Sequence, residues 1–433
     1  MTKDYLKDLI RIDTQNYKAN ETELVNYISK FCDNNNIRYE IFYKDENRKN
    51  IIISLGPETD QNLLVVGHMD VVVANPEDWE LHPFEGKEKD GYLYGRGAVD
   101  MKYVIASSLS IMKELKTQED KLERGINFVF TADEENGSEY GMEYLITQDR
   151  AKKILSNKKT LNEGGGFSFP FKDKLYYLYE TGQKTVARVK VSIKKNANAN
   201  PFFQDLENED ALVKVIRKVE AIKFDVDLPY TTKKLLAELT GDSDINSSNL
   251  LEKLSVIEDR GIVGLLRAMS ENYQTASMIK GGNRNKHLGK TIGAEAIFDV
   301  RLLPNITEEC LAEKLKETLK DLPVEIEIMS FMAGFEAEVD ENFVGLLERA
   351  LKDKNPRIEA LLPFITPGSN DGKFLKELDT TVYGFAPLCE KDYFVDVLRG
   401  IHSVNERILL ESIEFNKEVM QDIIVAYCRR RYE

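Results

Sequence analysis

The chain has 433 residues, with 74 acidic and 59 basic side chains and a formal net charge of -15. This length predicts two domains, because one hydrophobic core rarely serves so long a chain. The acidic excess argues against a nucleic-acid or anionic-membrane surface, which needs clustered Lys and Arg.

The N-terminal segment and the cysteines indicate where the protein works. Residues 1–16 combine acidic residues with helical periodicity, where a signal peptide would have an unbroken apolar stretch. No run of about 18 apolar residues predicts a membrane-spanning helix. The four cysteines lack the paired spacing of a disulfide framework or a cysteine zinc site. We therefore expect a cytoplasmic protein with reduced cysteines.

The first part of the chain alternates helix-like and strand-like segments. The predicted helices span 5–12, 21–32, 103–115 and 140–145, and the predicted strands span 39–43, 50–54, 63–73 and 126–131. Such alternation predicts an α/β fold with a mostly parallel central sheet covered by helices on both faces. In sheets of this kind, ligands lie beyond the carboxyl ends of the strands.

The pattern of apolar and polar residues changes after Gly182. An alternating strand at 186–193 precedes helices at 212–224 and 250–255, and a strand, a helix and a strand follow at 294–304, 311–320 and 324–330. We read residues 184–331 as an inserted domain with a sheet and helices on one face. Residues 1–183 and 332–433 form the other domain, which ends on helices at 341–352 and 411–430.

Five segments carry metal-ligand chemistry: GHMDVV, GRGAVDMK, TADEENGS, NEGGG and GIHSVNE. Together they supply two imidazoles and several carboxylates. Zinc-like cations prefer imidazole nitrogen and carboxylate oxygen, and a pair of cations about 3.5–4 Å apart needs one carboxylate able to bridge them. These segments therefore predict a two-metal site.

Spacing suggests roles within the segments. The strand period of two places His68 and Asp70 on the same side, so that Asp70 accepts the second N–H of His68 and fixes its tautomer. Asp100 follows a turn flanked by glycines, which suits the close approach of a bridging ligand. Glu134 and Glu135 diverge from one loop, one to a metal ion and one to the attacking water as general base.

The segments, with WELHPF at 79–84, resemble those of the aminoacylase, succinyl-diaminopimelate desuccinylase and carboxypeptidase-G group of co-catalytic zinc metallopeptidases. The resemblance runs from end to end of the chain, with the motifs in the family's order. It implies the following assignment: His68 and Glu163 on one metal ion, Glu135 and His402 on the other, Asp100 bridging, Asp70 behind His68, and Glu134 as base. It also implies that the insert is a ferredoxin-like lid that mediates homodimerisation.

The sequence departs from the family pattern in the lid. The family places a His-x-Ser-x-Pro segment there, and the histidine stabilises the oxyanion, but this chain has KKNANANPF, with Ala197 and Ala199 at those positions. Losing one oxyanion donor costs about 10²–10³ in rate. His287, in a stretch where the family often has Asn-Val-Ile-Pro, is either a replacement donor or a surface-loop residue.

Other polar residues near the motifs have weaker assignments. Ser369, Asn370 and Asp371, in the SNDG stretch, resemble a substrate-binding loop of the family, although the bare sequence indicates only a turn. We interpret His82 as a packing or rim residue. Asp133 is interpreted as a loop acid that does not bind metal directly.

Two functions from different classes fit these observations. The first is hydrolysis of an amide in an N-acyl amino acid or small peptide with a free carboxylate, using two divalent metal ions. Zinc rests on the resemblance, since cobalt or manganese accept the same ligands. The alternative is a catalytically impaired metal-binding relative acting as a ligand-binding or assembly module, which Ala197 favours. The retained Glu134 argues for the enzyme. A phosphate-cleaving enzyme fits less well, since no Arg or Lys clamp is evident.

Overall fold

The computed structural model describes residues 1–193, 206–224, 226–280 and 294–429. The chain divides into two compact units. The first comprises Met1–Thr181, Ala337–Phe364 and Asn370–Glu433, and the second comprises Gly182–Glu336 and Ile365–Ser369. The short return segment 365–369 carries no sequence signal that assigns it to the second unit.

The described residues form the following elements. The helices are α1 Thr2–Arg11, α2 Glu21–Asn34, α3 Lys102–Lys116, α4 Met142–Leu145, α5 Asp149–Leu155, α6 Leu206–Glu220, α7 Tyr230–Thr240, α8 Leu250–Leu254, α9 Arg260–Ser270, α10 Glu308–Leu319, α11 Glu341–Lys354, α12 Gly372–Lys376, α13 Phe394–Gly400 and α14 Leu410–Cys428. The strands are β1 Arg38–Asp45, β2 Arg48–Leu55, β3 Leu63–His68, β4 Lys87–Lys89, β5 Tyr92–Tyr94, β6 Ile126–Thr131, β7 Lys159–Asn162, β8 Phe167–Phe171, β9 Lys174–Gln183, β10 Thr185–Ile193, β11 Tyr273–Lys280, β12 Glu295–Leu302, β13 Val324–Met332, β14 Phe335–Glu336, β15 Ile358–Thr366, β16 Thr381–Gly384 and β17 Arg407–Leu409.

The central sheet of the first unit has the strand order β1-β2-β6-β3-β7-β16-β9. Strands β6, β3, β7 and β16 run parallel to one another, whereas β1, β2 and β9 pair antiparallel with their neighbours. Every residue of β3 and β6 is buried, as expected for strands covered on both faces. The structure therefore confirms the predicted α/β fold with a parallel centre.

Side chains of β3 alternate between two apolar layers. Leu64 and Val66 pack in a core with α4 and α5, while α3 and α14 also contact β3. A strand held from both sides has little freedom, so the residue at its carboxyl end is placed rigidly.

The second unit has a four-stranded antiparallel sheet of its own, in the order β11-β12-β10-β13. Helices α6 and α10 pack on it through a core that includes Val215, Phe298 and Leu311. The chain order β10-α6-β11-β12-α10-β13 is the ferredoxin-like arrangement. Helices α7 and α9, inserted between α6 and β11, were not predicted.

Strand β3 is shorter than its apolar sequence suggests. It ends at His68, whereas the prediction extended it to residue 73, so the argument that placed Asp70 by strand periodicity was wrong. Asp70 lies in the loop that follows. None of the helices in the described residues has the length and the apolar character that a membrane-spanning segment requires.

Candidate metal centre

Three neighbouring parallel strands deliver acidic and imidazole side chains to one edge of the sheet. His68 is the last residue of β3. Glu134 and Glu135 follow the end of β6 by three and four residues, and Glu163 follows β7 directly. Since β6, β3 and β7 are adjacent and parallel, their carboxyl ends bring these residues together.

Two groups of potential metal ligands meet there, and they share one residue. The first consists of His68, Asp100 and Glu163. The Nε2 atom of His68 lies 3.0 Å from Oδ1 of Asp100 and 3.4 Å from Oε2 of Glu163. These atoms face one point, as ligands of a single cation do.

The second group consists of Asp100, Glu135 and His402. The Nε2 atom of His402 lies 3.0 Å from Oδ2 of Asp100 and 3.0 Å from Oε2 of Glu135. Asp100 thus directs one carboxylate oxygen to each histidine. The structure brings together all five residues named from the sequence, in the two sets that the resemblance implies.

The sequence named Asp70 as the partner of His68, but through the wrong atom. The Nδ1 atom of His68 lies 2.9 Å from the backbone carbonyl oxygen of Asp70 and 3.7 Å from the carboxylate. The carboxylate instead accepts the backbone N–H groups of Glu134, at 3.0 Å, and Glu135, at 3.1 Å. Asp70 lies beyond the end of β3. Its carboxylate therefore anchors the loop that carries both glutamates rather than the ring of His68.

A buried network behind Asp70 was missed by sequence reasoning. The Nδ2 atom of Asn16 donates to Asp70 at 2.7 Å and to Asp133 at 3.2 Å. Asp133 also accepts from Arg48 at 2.7 Å, so it supports the loop; its interpretation as an acid that does not bind metal directly stays a prediction. Asn16 and Arg48 lie outside the recognisable motifs, and no local signal marks them.

Electrostatics at the site match a cation-binding role. Burial, together with the charge of Glu163, raises the pKa of Glu134 well above its usual value. Burial also raises the pKa of Glu163 to about 7 and that of Glu135. Buried carboxylates this close repel one another unless cations neutralise them. The donor set of two imidazoles and three carboxylates therefore fits two divalent cations.

Glycines of the NEGGG segment let the Glu163 loop pack against backbone. A Cβ on Gly165 would lie 2.5 Å from the carbonyl oxygen of Gly384, and one on Gly166 would lie 2.7 Å from Pro387 Cα. Gly164 and Gly166 have positive φ angles of 104° and 87°, which favour glycine. The composition of this segment alone suggests a flexible turn. In the structure it is instead packed closely against backbone and supports Glu163.

The predicted substrate loop has protein partners. Asn370 and Asp371 are 6% and 2% exposed. Asn370 donates to Glu180 at 3.0 Å, and Asp371 accepts from Thr131 at 2.8 Å. Both side chains support the loops around the site, and substrate contact by them stays a prediction.

The remaining sequence-derived candidates lie elsewhere. Ser369 belongs to the second unit, where its hydroxyl lies 3.4 Å from the sulfur of Met332. His82 is exposed and its Nδ1 accepts the backbone N–H of Phe84 at 3.3 Å. His287, Ala197 and Ala199 fall outside the described residues.

Comparisons with known proteins agree on one family. Residues 64–426 match Peptidase family M20/M25/M40. The chain is 25% identical over 383 residues to N-fatty-acyl-amino acid synthase/hydrolase PM20D1 of Xenopus tropicalis, covering 82% of this chain and 71% of that protein. It is 29% identical over 265 residues to a probable succinyl-diaminopimelate desuccinylase of Staphylococcus aureus (strain MSSA476), covering 58% and 61%.

A solved structure shares the fold along its whole length. The M20 family metallo-carboxypeptidase Sso-CP2 from Sulfolobus solfataricus superimposes with a TM-score of 0.72 at 17% identity, covering 98% of each chain. At this identity the likeness concerns the fold. The two curated relatives named above are matched over less of their length, and the chain spans about three fifths of the staphylococcal protein.

Proposed function

Because the chain belongs to peptidase family M20/M25/M40, a family of metal-dependent hydrolases of amide or peptide bonds, we propose that it cleaves the amide of an N-acyl amino acid or short peptide. The cleavage is of the deacylase, dipeptidase or carboxypeptidase type. The proposed substrate carries a free carboxylate, and the proposed metal is zinc.

One observation carries this proposal: Asp100 is shared by two ligand groups, and Glu134 lies beside the ligand Glu135 on the loop after β6. A carboxylate with one oxygen facing each histidine suits a bridging position between two cations. His68 and Glu163 would hold one ion, and Glu135 and His402 the other. Glu134, the neighbouring glutamate of the pair, remains for proton transfer.

The residues of the chain divide the chemistry as follows. Two divalent cations, when bound, would polarise the scissile carbonyl and lower the pKa of the attacking water. Glu134 accepts a proton from that water and delivers it to the leaving amine nitrogen. Asp70 keeps Glu134 in place through its backbone N–H.

The binding-only alternative accounts for less of the site. A protein that merely held metal would need the five ligands and the Asp70 carboxylate that anchors the loop of the ligand Glu135. It would not need Glu134, which is present on the same loop and belongs to neither ligand group. The altered lid sequence at Ala197 favours slower turnover, and the assay below separates slow turnover from none.

The test is a substrate panel. Protein stripped by a chelator and reloaded with zinc, cobalt or manganese is assayed against N-acetyl, N-succinyl and long-chain N-acyl amino acids and dipeptides. We expect metal-restored cleavage of at least one class. Asp100→Asn removes the bridging charge and should abolish both metal uptake and turnover.

Glu139→Gln is the matched control. Glu139 follows Glu134 and Glu135 in the chain, but its side chain is on the surface and is paired with Lys44 at 2.7 Å. It should behave as the parent. Stoichiometric metal uptake without turnover on any panel member would favour the binding module instead.

We also propose a cytoplasmic homodimer formed through the second unit. Ile279 on strand β11 and Met329 on strand β13 are 55% and 46% exposed, and both strands lie at edges of their sheet, where pairing between chains is favoured. Sedimentation analysis should give twice the chain mass. Ile279→Lys and Met329→Lys should shift the protein to a monomer, and a monomeric parent at micromolar concentration would refute the dimer.

A further inference from the structure

A buried glutamate outside both ligand groups closes the last motif. Glu406 is 1% exposed. Its carboxylate accepts four hydrogen bonds, from the guanidinium Nη1 of Arg96 at 2.6 Å and from the backbone N–H groups of Gly97, Val99 and Asp100 at 3.1, 2.8 and 3.1 Å. One side chain thus binds the whole turn that ends in the shared ligand Asp100.

Arg96 extends this contact to two further segments. Its Nη2 donates to the backbone carbonyl oxygens of His402, at 3.3 Å, and Val73, at 3.4 Å. Arg96 is 2% exposed, and its guanidinium lies over the ring of Trp79, 5.2 Å from the ring centroid. A planar guanidinium with several donors can connect strands of chain in this way.

The backbone at His402 needs such support. His402 has a φ angle of 61° and Asn405 has the same value. This left-handed region is disfavoured for residues other than glycine, so surrounding contacts must hold it. The bond from Arg96 to the carbonyl of His402 is one such contact, and Glu406 fixes Arg96.

We propose that Glu406 is a positioning residue that, together with Arg96, sets the bridging carboxylate of Asp100 against His402 and so couples the two metal-binding groups. This inference rests on the proposed two-metal function. Three segments with ligand residues, 68–73, 95–100 and 402–406, converge on this one ion pair. Loss of the pair should weaken both groups, because they share Asp100. It should weaken the His402 group more, because two of its three ligands depend on the pair.

Glu406→Gln tests the assignment, because it keeps the size of the side chain but replaces an accepting oxygen by an NH₂ that faces backbone N–H donors. We expect the affinity for zinc, measured by competition with a chromophoric chelator, to fall about 10- to 100-fold, the range for residues that orient metal ligands. The zinc ion at the His402 group should be lost before the one at the His68 group. The absorption spectrum of the cobalt-loaded protein should change, which a general loss of stability would not cause.

Two control variants separate positioning from other effects. Glu411→Gln removes a nearby surface charge, paired with Lys391 at 2.6 Å, and should leave both affinities unchanged. Val419→Ala creates a small cavity at a fully buried position of α14. It should lower the unfolding temperature without altering zinc affinity or the cobalt spectrum.

A second variant covers the case in which Glu406→Gln does not fold. Arg96→Lys keeps the charge opposite Glu406 but loses the arm that reaches His402 and Val73. We expect the two zinc ions to be lost in the same order as in Glu406→Gln, with a smaller fall in zinc affinity. Parent-like zinc affinities in either folded variant, or an equal loss in Val419→Ala, would overturn the proposal. If the parent itself fails to bind two metal ions, the proposed function fails instead.

Discussion

At the scale of single residues, two buried carboxylates share one guanidinium behind the metal centre. The Nη1 atom of Arg48 lies 3.2 Å from Glu21 and 2.7 Å from Asp133. Burial, and then the charge of Asp70, raises the pKa of Glu21 to about 7. One Oε atom of Glu21 has no hydrogen-bond partner in the structure, so its charge is poorly compensated. Arg48 mainly serves Asp133.

Glu21→Gln should therefore change how stability depends on pH. The folded-state pKa is raised, so the parent keeps the contribution of Glu21 below about pH 4.5 and loses it as the pH rises through about 7. The loss amounts to about 3 kcal/mol for a shift of this size. Urea unfolding of the chelator-treated protein from pH 4.5 to 7.5 should show the variant gaining on the parent by that amount.

Glu23→Gln, on an exposed position of the same helix, is the control and should follow the parent at every pH. If the variant and the parent kept a constant difference in unfolding free energy across this range, Glu21 would be ionised in the folded protein and the prediction would be wrong.

Residue type explains which of these groups the sequence revealed. Metal binding restricts ligands to a few residue types at fixed places, so His68, Asp100 and Glu163 stand out within motifs. Asn16, Arg48 and Glu406 act through hydrogen bonds to backbone or to other side chains, and many residues elsewhere in the chain look the same. The acceptor atom for His68 was also beyond the sequence, because it depends on where β3 ends.

At the scale of elements, the loop after β7 shows how packing places a ligand. Gly165 lies against backbone on two sides, since an added Cβ would be 2.5 Å from the carbonyl oxygen of Gly384 and 2.9 Å from that of Leu178. Backbone cannot rotate away as a side chain can. The loop position, and with it Glu163, is therefore set by the close fit.

Gly165→Ala should displace the loop. We expect a loss of about 1–3 kcal/mol in the free energy of unfolding, as for overpacked sites, and weaker zinc binding at the His68 group. Gly345→Ala is the control, because its added Cβ would meet only the end of Arg349 at 3.7 Å within helix α11; it should be neutral or stabilising. Unchanged stability and zinc affinity in Gly165→Ala would contradict the account.

Long periodic elements were predictable and short ones were not. Helices α2, α3 and α14 lie close to their predicted ranges, because each shows a repeating apolar face. Strands β7, β8 and β9 were missed, since short apolar runs beside glycines fit several structures equally well. Consequently, the place of Glu163 beside β3 was known only from the resemblance.

At the scale of the whole molecule, metal binding and folding of the first unit should be linked. All five proposed ligands lie in that unit, and their carboxylates repel one another without cations. Each zinc ion at 100 times its dissociation constant adds about 2.7 kcal/mol of stability. Calorimetry should show the transition of the first unit shift upward with zinc and return on addition of a chelator.

The second unit provides an internal reference for this measurement, because none of the five proposed ligands lies in it. A zinc-independent transition of the first unit would contradict metal binding at this site.

The insert at 184–331 was predicted from the change in the pattern of apolar and polar residues after Gly182. Its lid role depends on residues outside the described ranges and stays a prediction.

The central claim is that Glu134 transfers protons at a two-metal site without holding metal itself. The most direct test counts zinc and measures turnover in Glu134→Gln, using the best substrate of the panel and Glu139→Gln as control. We predict two zinc ions per chain in both variants, with turnover reduced about 10²- to 10⁴-fold in Glu134→Gln only. Parent-like turnover in zinc-loaded Glu134→Gln, or full activity of the parent after its metal is removed, would contradict the account.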